Sequence, residues 1–212
     1  GQQVLEPYLK SNGISKVSYA IVSHGDQDHI SGLSYLLESD SGIQIQNLIL
    51  PIRGKEDPIY AKLGQQARNA GAKVFWMKQG DQIRVDGLSL RCLYDGAGTD
   101  ETERNNHSLL IQASYGDFGM LLTGDMSADG ELQWLERKDT LEKPVQILKI
   151  AHHGSGYSST ESFLKEVSPK LAVISCGEGN RYGHPHVETL ERLEKEGIPW
   201  VCTRDCGAVL VG

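Results

Sequence analysis

Apolar residues recur at two different spacings along this chain, and the changes of spacing divide it into three stretches. Residues 2–12 carry Val4, Leu5, Tyr8 and Leu9 on one helical face and stop at Gly13; residues 17–22 form a short apolar, β-branched run. Residues 30–37 return to helical spacing through Ile30, Leu33, Leu36 and Leu37, and are followed by a strand over 43–50, a helix over 59–70 closed by Gly71, and a strand over 73–77. The period then shortens. Runs at 83–85, 88–93, 108–114 and 118–123, separated by Asp86-Gly87, a Gly-rich loop at 95–106 and Gly116-Asp117, predict an antiparallel meander. The last third alternates again, with helices over 131–137, 159–167 and 187–196 and strands over 145–151, 171–175 and 199–203. This order predicts an α/β (α+β) domain with sheets in the middle and helices outside.

Composition narrows the possibilities. The 212 residues suit one large domain, read here as residues 1–212, with no internal repeat. No apolar run approaches the roughly 20 residues of a membrane helix, and no charged-then-apolar signal segment opens the chain. A formal charge of −7 excludes a broad basic surface for nucleic acid, so any phosphate binding depends on local charge. The four cysteines do not form paired CxxC knuckles, and buried free thiols are expected, with a Cys202–Cys206 disulfide as the alternative in an oxidising compartment. Trp76, Trp134 and Trp200 read as packing residues, since no basic residues interleave them.

The densest chemistry lies in residues 23–29, where His24, Asp26, Asp28 and His29 directly follow the apolar run 17–22. Imidazoles and carboxylates crowded onto one tight loop desolvate and repel one another unless a cation holds them, which predicts a metal site at a strand end. Six of the seven histidines fall into three clusters, His24/His29, His152/His153 and His184/His186, each after an apolar run. Three strand ends are therefore expected to converge, and Asp125 follows the run 118–123 in the same way. Simpler roles compete. Asp26 and Asp28 could cap a helix starting near Ile30, Asp125 could be a turn residue, and His186 is expected to open the helix 187–196. His107 reads as a surface or supporting residue rather than a ligand.

His24-x-Asp26-x-Asp28-His29 resembles the HxHxDH signature of the metallo-β-lactamase superfamily with its second histidine replaced by Asp26, and Thr123-Gly124-Asp125 is similar to that superfamily's bridging-aspartate motif. Six motifs in order, residues 23–33, 105–109, 121–125, 148–155, 180–185 and 203–209, resemble the C-terminal domain of the ComEC competence family. The resemblance implies an αββα metallo-β-lactamase sandwich whose two opening strands are missing here, giving a short first sheet. It also implies a nuclease that degrades the non-transforming strand during DNA uptake. The chain would then be a fragment of a larger membrane protein, facing the extracytoplasmic side, with single-stranded DNA, the protein's own transmembrane channel portion and other competence proteins as partners.

Two metals about 3.5–4 Å apart need a shared carboxylate, and Asp125 is the expected bridge. His24, Asp26 and His153 would hold the first ion and Asp28, His29 and His184 the second, with His152 binding phosphate or shuttling a proton. On sequence alone His152 and His153 are interchangeable in these roles. Asp28 and Asp125 would also serve catalysis by orienting the attacking water, and Ser155 and Asn180 would contact substrate. Asp26 adds hard oxygen, which favours Mn²⁺ at least as much as Zn²⁺. Two other readings remain: a phosphodiesterase or phosphorylcholine-type esterase acting on small molecules or cell-wall groups, and a non-catalytic DNA-guiding domain.

Overall fold

A computed structural model describes residues 1–100, 102–137 and 140–210, so residue 101 of the predicted loop 95–106 lies outside the described residues. The first stretch folds as α1 (Leu5–Ser11), β1 (Lys16–Ile21), α2 (Gln27–Glu38), β2 (Gln44–Pro51), α3 (Pro58–Asn69) and β3 (Lys73–Met77). Parallel strands need crossover connections, and α2 and α3 supply them, giving a three-stranded parallel sheet in the order β1-β2-β3. Asp57 fixes the start of α3 by accepting from Ile59 N–H at 2.9 Å, with Pro58 in the first turn where its missing N–H costs nothing.

The second sheet has seven strands in the order β10-β9-β8-β7-β6-β5-β4. The predicted meander forms its antiparallel part: β4 (Gln82–Val85), β5 (Leu88–Tyr94), β6 (Leu110–Tyr115) and β7 (Phe118–Leu122). α4 (Ala128–Arg137), β8 (Ile147–Lys149), α5 (Glu161–Val167), β9 (Leu171–Ile174), α6 (Val187–Lys195) and β10 (Trp200–Cys202) add the parallel part. A four-residue helix, α7 (Thr203–Cys206), follows; it is too short to carry a periodic signal in the sequence.

Strand alternation separates the layers, because neighbouring residues point to opposite faces. In β2, Leu48 and Leu50 pack with Tyr60 and Leu63 under the first helices, while Ile49 turns to the other face and meets Cys92, Leu109 and Ile111 of the second sheet. In the second sheet Leu93, Leu110 and Leu121 face Trp134 and Phe163 on the outer helices. The result is helices, sheet, sheet, helices: the expected αββα sandwich.

Three differences from the sequence expectation matter for the site. α2 starts three residues before Ile30, which puts Asp28 and His29 in its first turn and Asp26 at its N-cap position without a capping side-chain hydrogen bond. The strand predicted over 145–151 is only Ile147–Lys149, since the chain bends into a 3₁₀ turn at Ala151–Gly154. The run at 108–114 pairs only from Leu110, after a 3₁₀ turn at Arg104–His107.

Glu131, a fully buried carboxylate on α4, ties the helical layer together. It accepts from Ser159 N–H at 2.5 Å and Thr160 N–H at 2.8 Å at the entry to α5, and burial holds its carboxyl above the usual range. Glu131→Ala leaves both donors without an acceptor, and a loss of roughly 2 kcal/mol or more in denaturant unfolding is expected.

Candidate metal centre

β7, β8 and β9 run parallel, and Leu122, Lys149 and Val173 share one rung. Asp125 and His152 each lie three residues beyond that rung, so their loops emerge at the same end of the sheet. β1 ends beside them, and Leu109 N–H donates to Ser23 C=O at 3.1 Å, joining the loop 23–29 to the second sheet. Parallel register thus brings distant parts of the sequence to one point.

Asp125 sits at that point, almost wholly buried. Gly124 before it has φ +55, and a Cβ there would come within 2.9 Å of Ser23 Cβ, so the turn requires glycine. Ser108 Oγ accepts from Asp125 N–H at 3.0 Å, and Lys149 Nζ donates to Gly124 C=O at 2.8 Å while lying 3.5 Å from Asp125 Oδ1. Around the carboxylate, Asp125 Oδ1 lies 3.3 Å from His29 Nε2, and Oδ2 lies 3.3 Å from His153 Nε2 and 3.9 Å from both His24 Nε2 and His152 Nε2.

Asp28, His29, Asp125 and His153 place one donor atom each within 4.8 Å of one another. His153 Nε2 is 3.1 Å from His29 Nε2 and 3.3 Å from Asp28 Oδ2. Its Nδ1 lies 2.7 Å from Ser175 C=O, an acceptor, which assigns a ring proton to Nδ1 and leaves Nε2 to donate to Asp125 when the ring is charged or to hold a cation when it is neutral. Either a proton or a cation must sit among these groups. On the other side His24 Nε2 is buried without a hydrogen-bond partner, 3.8 Å from Asp26 Oδ2. The nitrogen and oxygen donors of Asp28, His29, Asp125 and His153 fit a divalent ion.

Protonation favours ligation at three of the imidazoles and opposes it at His153, where a metal ion would have to displace a proton. Burial, then the neighbouring His29 ring, pushes His24 down to about 3. Burial also lowers His152 and His184. Burial alone would raise Asp125, but hydrogen bonds from His153 and His29 and the charge of Lys149 override it and hold the carboxyl far below the usual range. The hydrogen bond to Asp125 raises His153.

The structure departs from the predicted site in several places. His153 lies with Asp28 and His29, not with His24 and Asp26, while His24 and His152 each lie 3.9 Å from Asp125 Oδ2. His184 lies outside the four-donor group, its ring centroid 5.7 Å from that of His152 and 6.2 Å from that of His153. Ser155 is buried and faces away from the cleft: its Oγ accepts from Tyr157 N–H and its carbonyl from Thr189 Oγ1. Asn180 lines the cleft, but its amide is engaged with Gly177 C=O and with both backbone groups of His184. His107 is not at the surface; it is buried, with Nδ1 3.4 Å from Tyr60 Oη. His186 does open α6, its Nδ1 accepting from Gly156 N–H at 3.0 Å.

Three residues given no role from sequence also belong here. Lys149 interrupts an apolar β-run, a pattern that by itself marks a buried charge with a partner. Asn105 lines the cleft with its Oδ1 buried and unpartnered. Tyr182 stands exposed at the cleft rim, its ring near-parallel to His184 at 5.7 Å. The cleft holds about 560 Å³, with Asp26, Asp28, Asp125, His152 and His153 among the residues that line it.

The model of the Metallo-beta-lactamase superfamily matches residues 1–178, and the chain belongs to that superfamily. Membership implies metal-dependent hydrolase chemistry. More particularly, the chain is 32% identical over 209 residues to ComE operon protein 3 of Bacillus subtilis (strain 168), covering 99% of this chain and 26% of that protein. It is 31% identical over 211 residues to Competence protein ComA of Neisseria gonorrhoeae, covering 100% of this chain and 27% of that protein. The chain thus spans about a quarter of the length of these relatives. A solved CmlA beta-hydroxylase mutant superposes with a TM-score of 0.56 at 10% identity, over 89% of this chain and 43% of that one, and shares the fold alone.

Metal-stripped protein is expected to gain thermal stability on addition of Mn²⁺ or Zn²⁺. Calorimetric titration of Asp125→Ala and His24→Ala should show affinity lower by about 10–100-fold or more. Equal affinity in both variants would mean that the cluster is not a metal centre.

Proposed function

We propose that this chain is a metal-dependent DNase that hydrolyses phosphodiester bonds of single-stranded DNA and degrades the non-transforming strand during DNA uptake. It would act as the extracytoplasmic domain of a larger membrane protein, beside that protein's transmembrane channel portion and other competence proteins. The observation that carries this reading is the gathering of four imidazoles around Asp125, with the Asp26 and Asp28 carboxylates beside them, at an open cleft. Similarity to Competence protein ComA over the whole chain supports the choice of DNA. Among the described residues no helix is long and apolar enough to cross a membrane, so the proposed channel would lie in other parts of the protein.

Divalent ions held here would supply positive charge for the phosphoryl oxygens and lower the pKa of a nucleophilic water. His24, Asp26 and His152 would face one ion and Asp28, His29 and His153 the other, with Asp125 shared. The carboxylates supply hard oxygen, so Mn²⁺ should serve at least as well as Zn²⁺. Asn105 offers one more neutral oxygen on the same wall. Lys149 holds the Gly124 carbonyl and so keeps the Asp125 oxygens aimed at the centre. Asn180 fixes the backbone of His184, which presents a neutral imidazole for the phosphate or a proton. At the rim, the Arg181 guanidinium lies over the exposed Tyr182 ring, 4.9 Å from its centroid, and this cationic, aromatic pair offers a stacking platform for an unpaired base.

Cleavage of labelled single-stranded DNA by metal-stripped protein refilled with each ion tests this. Manganese-dependent cleavage is expected, reduced at least about 100-fold in Asp125→Ala. Turnover of bis-p-nitrophenyl phosphate without DNA cleavage would instead indicate an esterase of small substrates, and metal binding without any turnover a DNA-guiding domain. Tyr182→Ala should raise KM for single-stranded DNA by about 10-fold through loss of stacking, with a far smaller change on bis-p-nitrophenyl phosphate.

A further inference from the structure

Beside the metal cluster, two thiols face each other where β9 and β10 leave the sheet. Cys176 Sγ lies 3.2 Å from Cys202 Sγ. Cys206 does not complete the Cys202–Cys206 pair considered from sequence: its Sγ donates to Cys202 C=O at 3.1 Å. β9 and β10 are parallel neighbours with Cys202 opposite Ile174, and the segments stay joined beyond the strands. Thr203 Oγ1 donates to Cys176 C=O and accepts from Cys176 N–H, both at 3.0 Å, so the backbone clamps the two cysteines together. Cys202 is buried, whereas Cys176 is half-buried and lines the cleft, where a reagent can reach it. The fourth thiol, Cys92, is buried between the two sheets.

We propose that Cys176 and Cys202 are a disulfide-forming pair, a modification site in the cleft wall that is oxidised by disulfide exchange with an oxidised dithiol oxidoreductase or a small disulfide such as oxidised glutathione. Cys176 gives up its proton, and its thiolate attacks one sulfur of the oxidant, displacing a thiolate and forming a mixed disulfide. Cys202, deprotonated in turn, attacks Cys176 Sγ and displaces the second oxidant thiolate. One S–S bond forms in the protein, one breaks in the oxidant, and the two protons end on the oxidant's two thiols. The sulfurs need to approach by only about 1 Å to reach bonding distance, within reach of side-chain rotation. Burial, then the contact with Cys202, pushes the Cys176 thiol up to about 11, so exchange should be slow near neutral pH and faster in mild alkali.

The consequence reaches the metal centre without depending on what the centre does. Ser175, next to Cys176, supplies the carbonyl that orients His153. A bond between residues 176 and 202 pins that strand end to its neighbour.

The protein is incubated with excess oxidised glutathione in mild alkali, unfolded, alkylated and digested, and its peptides are weighed. A peptide pair joined through Cys176 and Cys202 is expected, with Cys92 and Cys206 alkylated, and a phosphine reductant should abolish the link. The Cys206→Ser variant should give the same link, and Cys176→Ser none. Four alkylated cysteines, glutathione retained on Cys176, or a link from Cys206 to either partner would overturn the pairing.

Discussion

The Asp125 carboxylate is the constraint around which the site is arranged. A buried carboxylate is costly unless charges and donors surround it, and here imidazoles from two segments, 24–29 and 152–153, and Lys149 do so. The same arrangement points imidazole nitrogens at carboxylate oxygens, which is favourable only with a proton or a cation between them. Stability of the loops and affinity for metal are therefore linked: the packing that buries Asp125 creates the hole that a divalent ion fills.

Holding that geometry requires backbone strain. His152 and His153 adopt φ of +48° and +54° and Gly154 +87°, three consecutive left-handed residues. For the two histidines this costs on the order of 1–3 kcal/mol each, tolerated only where surroundings over-determine the turn. Gly154 cannot be replaced cheaply, because a Cβ would lie 2.7 Å from Pro185 Cβ. Thr189 holds the carbonyl of Ser155, His152 N–H donates to Gly124 C=O, and Glu131 anchors the following helix. Ser155, chemically a reasonable phosphate contact, is spent on this support.

The acidic balance of the chain suits the same picture. In the proposed role, a net charge of −7 leaves the attraction of a nucleic acid to cations bound at the cleft, which would couple substrate binding to metal occupancy. The facing thiols of Cys176 and Cys202 lie at the strand end whose Ser175 carbonyl orients His153.

Much of this was legible in the residues. Hydrophobic period located every strand, because each face of each sheet must be apolar toward a different layer, and the crowding of His24, Asp26, Asp28 and His29 required a cation whatever the fold. What one dimension cannot hold is register. That His153 and not His184 meets Asp28 and His29, that Ser155 turns inward, that Cys202 faces Cys176 and not Cys206, and that Lys149 reaches Asp125 all follow from rungs between strands far apart in sequence. Local spacing determined which residues could carry the chemistry. The parallel pairing of β7, β8, β9 and β10 decided which of them meet, because a shared rung converts equal offsets along separate strands into contact in space.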